Sequence, residues 1–138
     1  MRRTFLLAFV ALAVAMSLPV SAQDARSSEV QDAARDWLAL ADKMDGPATY
    51  AAAGAKFTAR MPLERWSKAL KDARTPLGAN TRRTVVSTQF TDKVQGQPKG
   101  DYALILFRSS FTNREFTQER LTLEKTAKGW QVIGYFIR

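Results

Sequence analysis

The amino-acid sequence predicts an α+β domain in which about three N-terminal helices pack on a four-stranded antiparallel meander. Three observations carry this. Apolar residues recur at intervals of three and four from Val30 to Ala73, as on one face of a helix. From Thr81 onward the interval becomes two, β-branched and aromatic residues multiply, and Gly, Pro and Asn groups punctuate the chain at hairpin lengths. Helices first and strands afterwards put the helices on one face of the sheet.

The first residues stand apart from that domain. Arg2 and Arg3 give a positive start, Phe5 to Val20 form an almost wholly apolar run, and Val20-Ser21-Ala22 ends in small residues, the pattern of a secretory signal peptide. Ser17 and Pro19 interrupt the run before it reaches the roughly 20 apolar residues a membrane span needs, so no integral span is expected after processing. Residues 1–22 are therefore expected to be the signal peptide and 23–138 a single α+β domain, placing the protein in the periplasm or outside the cell by the general secretory route. With no cysteine in the chain, neither a lipid-acylated cysteine nor a disulfide is available, and packing must supply the stability.

The elements follow in order. Ser27 or Ser28 can cap a first helix, whose apolar face is Val30, Ala33, Ala34, Trp37, Leu38, Ala41 and Met44, and Asp45-Gly46 ends it. Pro47 suits the first turn of a shorter second helix in which Tyr50, Gly54 and Phe57 share a face. Pro62 opens a third, with Leu63, Trp66, Leu70 and Ala73 as its stripe, and Thr75-Pro76 and Gly78 stop it. Strands are expected near residues 82 to 92, 101 to 111, 116 to 126 and 130 to 137. If Asn113-Arg114 is the tight turn, Phe111 opposes Phe116, Arg108 faces Glu119, Leu106 faces Leu121, and Leu104 faces Leu123. A turn at Ala127-Lys128 then sets Leu123 against Val132, Leu121 against Gly134 and Glu119 against Phe136.

That register makes Leu104, Leu106, Leu121 and Leu123 the inner surface and sends Ile105, Phe107, Phe111, Phe116, Ile133, Tyr135 and Ile137 to the reverse face. So apolar a reverse face needs a cover. Two covers are open: a subunit interface, as in a symmetric homodimer, or a curled sheet whose first strand or loops bury it within one chain.

Several segments together resemble a bacterial exported family known as domain of unknown function 4019. They are Trp37-Leu38, Tyr50, Trp66, Arg74-Thr75-Pro76-Leu77-Gly78, Gly96-Gln97-Pro98-Lys99-Gly100-Asp101-Tyr102, Phe111, Glu119 and Gly129-Trp130-Gln131-Val132-Ile133-Gly134-Tyr135-Phe136. The resemblance implies an exported domain and no particular activity. The helices-then-sheet order is also similar to the nuclear-transport-factor-2-like and cystatin-like folds, which host enzymes and binding proteins alike.

Chemistry is constrained mainly by what is missing. Without histidine or cysteine there is no Ser-His-Asp triad, no thiol nucleophile and no usual zinc or haem ligand set. No cofactor, metal site or catalytic residue is expected, and no EF-hand or phosphate-binding loop is present. Asp32 and Asp36 lie one helical turn apart on a solvated face with Arg35 between them. The formal charge of +8, or +6 once Arg2 and Arg3 leave with the leader, favours anionic neighbours; nucleic acid is not among them, for no binding signature is present.

One constellation points to binding: Arg108 and Glu119 at one end of the inner surface, walled by Trp37, Tyr50 or Trp66. It is either a cross-strand salt bridge that sets register or the floor of a small pocket. The expected role is a binding or interaction module for an envelope protein or small ligand. The alternative is a carboxylate-based enzyme with Glu119 as base.

On export through a bacterial inner membrane the mature chain is expected to begin at Gln23. Intact-mass measurement of the secreted protein checks this, and retention of residues 1–22 would mean an uncleaved anchor.

Overall fold

The computed structural model describes residues 22–138. The expected signal peptide lies outside the described residues except for Ala22, which opens the first helix. No helix among the described residues is long and apolar enough to cross a membrane.

Helix α1 spans Ala22–Asp42 and buries Val30, Ala34, Trp37, Leu38 and Ala41, five of the seven residues its spacing predicts; Ala33 is half-buried, and Met44 lies beyond the helix, exposed. It ends three residues before Asp45 because Met44 takes a left-handed conformation, φ 52°. Asp45 instead begins α2, Gly46–Ala52, its carboxylate accepting the backbone N–H of Ala48 at 2.9 Å. The expected second helix is split in two. Ala53 and Gly54 are extended, and α3 is a single turn, Ala55–Thr58. The break has a cause: the Gly54 N–H is given to the carbonyl of Val132 on the last strand at 2.8 Å, and the Arg60 side chain donates to the next carbonyl, Ile133, at 3.3 Å. The α2–α3 segment thus satisfies part of the open strand edge. Helix α4, Leu63–Arg74, follows Pro62, and a 3₁₀ turn at Thr75–Leu77 leads into the sheet.

The sheet is an antiparallel meander of β1, Asn80–Thr91; β2, Tyr102–Phe111; β3, Arg114–Thr126; and β4, Gly129–Ile137, in that spatial order. The helices cover one face, so the α+β architecture predicted from the sequence is the one observed.

The strand register is not the predicted one. Phe107, not Arg108, pairs with Glu119; Ile105 pairs with Leu121 and Ala103 with Leu123. The turn is Thr112-Asn113, and β3 carries an extra residue so that Glu115 and Phe116 together oppose Ser110. This β-bulge displaces the pairing by one residue, which moves every β2 side chain to the other face. A second irregularity sits in β4 between the Leu123–Val132 and Thr122–Gly134 pairs. Leu123 does meet Val132 as expected, but beyond the bulge at Ile133 Leu121 pairs with Tyr135 and Glu119 with Ile137. Tyr135 is thereby turned inward.

The core is accordingly Ala103, Ile105, Phe107, Leu121, Leu123 and Val132 under the α1 stripe, with Phe57, Trp66 and Leu70 completing it. Ile105, Phe107, Phe111 and Ile133 are buried within this one chain, and Tyr135 and Ile137 are half-buried. Of the seven residues expected to form a subunit interface, only Phe116 is exposed; the chain's own packing covers most of the apolar surplus.

Thr49 joins the helical layer. It is buried, its carbonyl accepts the indole N–H of Trp37 at 3.0 Å, and its hydroxyl accepts that of Trp66 at 2.8 Å. This arrangement needs α2 close to α4. A Cβ on Gly46 would lie 2.1 Å from Ser67 Oγ and 2.9 Å from Ser67 Cα, a backbone atom that cannot turn aside. We predict that Gly46→Ala lowers unfolding free energy by about 1–3 kcal/mol, the usual range for forced overpacking, measured by urea denaturation; an unchanged midpoint would show the two helices free to separate.

Candidate functional site

Two places concentrate chemistry, one under the sheet and one on its uncovered face. The first is built around Glu119, which the alternation of β3 turns inward and which is completely buried. A lone buried carboxylate is prohibitively costly, so its partners are obligatory. Arg83 on β1 donates Nε to Oε1 at 2.8 Å, and Ser109 on β2 donates its hydroxyl to the same oxygen at 2.5 Å. Tyr135 on β4 donates to Oε2 at 2.5 Å, and Nη1 of Arg74 at the end of α4 lies 3.5 Å from that oxygen.

Asp42, the last residue of α1, closes the cluster. Arg83 binds it with both terminal nitrogens, at 2.9 and 2.8 Å, and Arg74 also donates to it. The Arg74 guanidinium rests over the Phe111 ring, 4.8 Å from its centroid. Two arginines and two carboxylates balance, so the cluster carries no net charge into the interior.

The neighbours set the titration of the group. Burial alone would raise the Asp42 pKa, but the hydrogen bonds and charge of Arg83, then those of Arg74, hold it below the ordinary value of 3.8. Burial and the adjacent Glu119 charge push the Tyr135 phenol far above its usual range, so it stays a donor. Burial works against the charge on Arg83, yet Asp42 and Glu119 more than restore it, and its pKa is raised.

The expected Arg108–Glu119 pair does not exist. Arg108 pairs across the strands with Gln118 and projects from the opposite face of the sheet, exposed, with its guanidinium 4.9 Å from the centroid of the Phe116 ring. The pocket inferred from that pair is therefore absent as drawn. Trp37 and Trp66 are core residues, their rings 5.8 Å apart, with the Tyr135 ring tilted against Trp37 at 5.2 Å and edge-on to Trp66 at 6.2 Å. Tyr50 is half-buried, its hydroxyl donating to the carbonyl of Met61 at 2.8 Å. Sequence reasoning missed Asp42 and Arg74 because each sits at a helix end, where a charged side chain is ordinary. Arg83 carries no signal in the sequence beyond standing next to Arg82.

The second place is the outer face. Leu104, Leu106 and Arg108 on β2 share it with Phe116, Gln118, Arg120 and Thr122 on β3, Phe136 on β4 and Val86 on β1. Phe116, Phe136 and Val86 are 64%, 55% and 58% exposed, the largest exposures among bulky apolar residues described. Two adjoining grooves cross the face. One, about 620 Å³, is lined by Val86, Leu106, Arg108, Phe116, Gln118 and Arg138. The other, about 510 Å³, is lined by Ser87, Gln89, Leu104, Leu106, Arg120 and Thr122. Among the described residues no group of three or more acidic side chains is placed to hold a metal ion.

Residues 33–135 match the family described as Protein of unknown function (DUF4019). No curated protein matches the chain. Among solved structures, the chain is similar to the crystal structure of the Kfla4162 protein from Kribbella flavida, with 11% sequence identity over 83% of this chain and 90% of that one, and a TM-score of 0.48.

Two tests bear on the buried cluster. Glu119→Leu leaves both arginines without a carboxylate they need, and we predict a loss of about 3–5 kcal/mol in a urea titration; a loss below 1 kcal/mol would mean water reaches the site. Because the Asp42 pKa is depressed on folding, the unfolded chain takes up the proton first as pH falls. The stabilisation is full above the ordinary carboxylate pKa and disappears as pH drops through the folded value. The urea midpoint should therefore fall below about pH 4 in the wild type and depend less on pH there in Asp42→Asn.

Proposed function

As the chain belongs to the DUF4019 family, whose description assigns no activity, we propose from its own surface that it is an exported, non-catalytic binding module whose working face is the outer face of the sheet. The observation that carries this is the company the exposed apolar residues keep. Arg82, Arg108 and Arg120 have no ion-pair partner among the described residues, and Arg138 reaches only the Gln118 amide at 3.5 Å. Ion pairs are made at several other places, Lys125 with Glu29 and Lys68 with Asp72 among them; what sets these arginines apart is the bulky apolar groups beside them. Unpaired arginines flanking bulky apolar groups are a surface composed for contact.

Two further points support the reading. Glu119, the base an enzyme would use, is enclosed and occupied by Arg83, Ser109 and Tyr135, whereas a general base needs a lone pair free toward substrate. The apolar run before Ala22 favours export to the envelope, where anionic molecules are abundant partners for a basic protein.

The test is mass spectrometry of material that co-purifies with the native protein from its own envelope, beside a variant carrying Arg108→Gln and Arg120→Gln. Both arginines are exposed, so the variant is predicted to keep the wild-type melting temperature and to lose the bound material. Retention of the same material would place binding elsewhere on the molecule.

A further inference from the structure

The outer face says more about its ligand than that it is anionic. Resting on the reading just given, we propose that the two adjoining grooves hold a single anionic amphiphile, with an acyl chain along the sheet and an oxyanion head between arginines. Leu106 borders both grooves, which lie side by side on the face, and Leu104 lies in the floor of the second. Arg108 and Arg138 stand beside the first groove and Arg120 beside the second. Volumes of about 620 and 510 Å³ fall within the 300–1,000 Å³ of small-molecule sites.

Charge complementarity excludes the neighbouring solutions. Among the described residues, the carboxylate at a regularly paired position of this face is Glu124, at the far end, where Lys56 binds it at 2.9 Å, while Glu115 lies in the bulge beside Phe116. A symmetric second copy would set Arg108 and Arg120 against arginines, a cost of several kcal/mol for like charges brought into contact. A bilayer surface would meet the rims, Phe116 and Phe136, and leave the grooved floor unfilled. A molecule with one acyl chain fills the floor and brings the charge the rim lacks. Arginine suits the head, since its planar fork can give two parallel hydrogen bonds to a carboxylate or phosphate. Arg108 is held over the Phe116 ring, which reduces its freedom before the ligand arrives.

Dodecanoate, kept below its micelle concentration, is the probe, with binding followed by isothermal calorimetry and by displacement of the fluorescent anion 1-anilinonaphthalene-8-sulfonate. Dodecyl maltoside and dodecyltrimethylammonium supply the same chain with neutral and cationic heads, and vesicles containing phosphatidylglycerol supply the anion as a surface. The expected results are binding of dodecanoate at one site per chain, at least tenfold weaker binding of the other two heads, and at least tenfold loss in the Arg108→Gln, Arg120→Gln variant. Phe116→Ala, which leaves all charges in place, should weaken dodecanoate several-fold and the cationic chain no more than that. Equal affinity for the three heads, an unaffected arginine variant, or binding to vesicles with none to monomeric dodecanoate would each overturn the proposal. Such a result alongside arginine-dependent co-purification would leave the binding face in place with a different ligand; loss of both would remove the face itself.

Discussion

A carboxylate with no access to water organises this molecule. Glu119 lies where β3 crosses beneath the helices, and every group that satisfies it comes from a different element: Arg83 from β1, Ser109 from β2, Tyr135 from β4 and Arg74 from the end of α4. Asp42 draws α1 into the same arrangement through the two arginines. Buried ion pairs contribute little net stability compared with apolar residues of the same shape, but removing one partner is severe, because the other is left charged in a poor solvent. Such a cluster tolerates only one arrangement of the elements around it. In a chain with no disulfide, it is the geometric constraint that aligns helices and strands.

Beside that cluster the packing is aromatic. Trp37, Trp66, Phe57 and Tyr135 lie with ring centroids 4.9 to 6.2 Å apart, and the two indoles end on Thr49, which gives each N–H an acceptor. Tyr135 belongs to both systems, its ring packed among the tryptophans and its hydroxyl on Glu119. Polar and apolar contributions are coupled through it. The inner face of the sheet is thereby committed to structure, and chemistry with outside molecules is left to the other side. There the side chains are arginine, glutamine, threonine and a few large apolar groups, with grooves between them.

The division between these faces was misread from sequence for a definable reason. Both Leu104–Leu106 and Ile105–Phe107 are plausible core pairs, so hydrophobic alternation did not discriminate between the two sets on β2. The choice fell to the turn, and a single extra residue at Glu115–Phe116 exchanged the sets. The bulge at Ile133 did the same for Tyr135 and Phe136 on β4. Bulges leave little trace in a sequence, since the inserted residue can be of almost any type. The candidate site suffered most: Arg108 and Glu119, one apparent pair, belong to opposite sides of the sheet and to different roles. The basic, apolar outer face could be noticed only once the register was known.

The sequence by itself determined that helices come first and strands after, the order of the meander, most of the apolar stripes of α1 and α4, the family, and the absence of histidine and cysteine chemistry. These are properties of local spacing and composition, and a helical or strand period averages over many residues, so one exception does not alter it. The tertiary structure alone decided which face of each strand is dry, which charges meet, and where the molecule is open to a ligand. Those outcomes depend on pairing between distant segments, and with a side-chain period of two a displacement of one residue reverses them all.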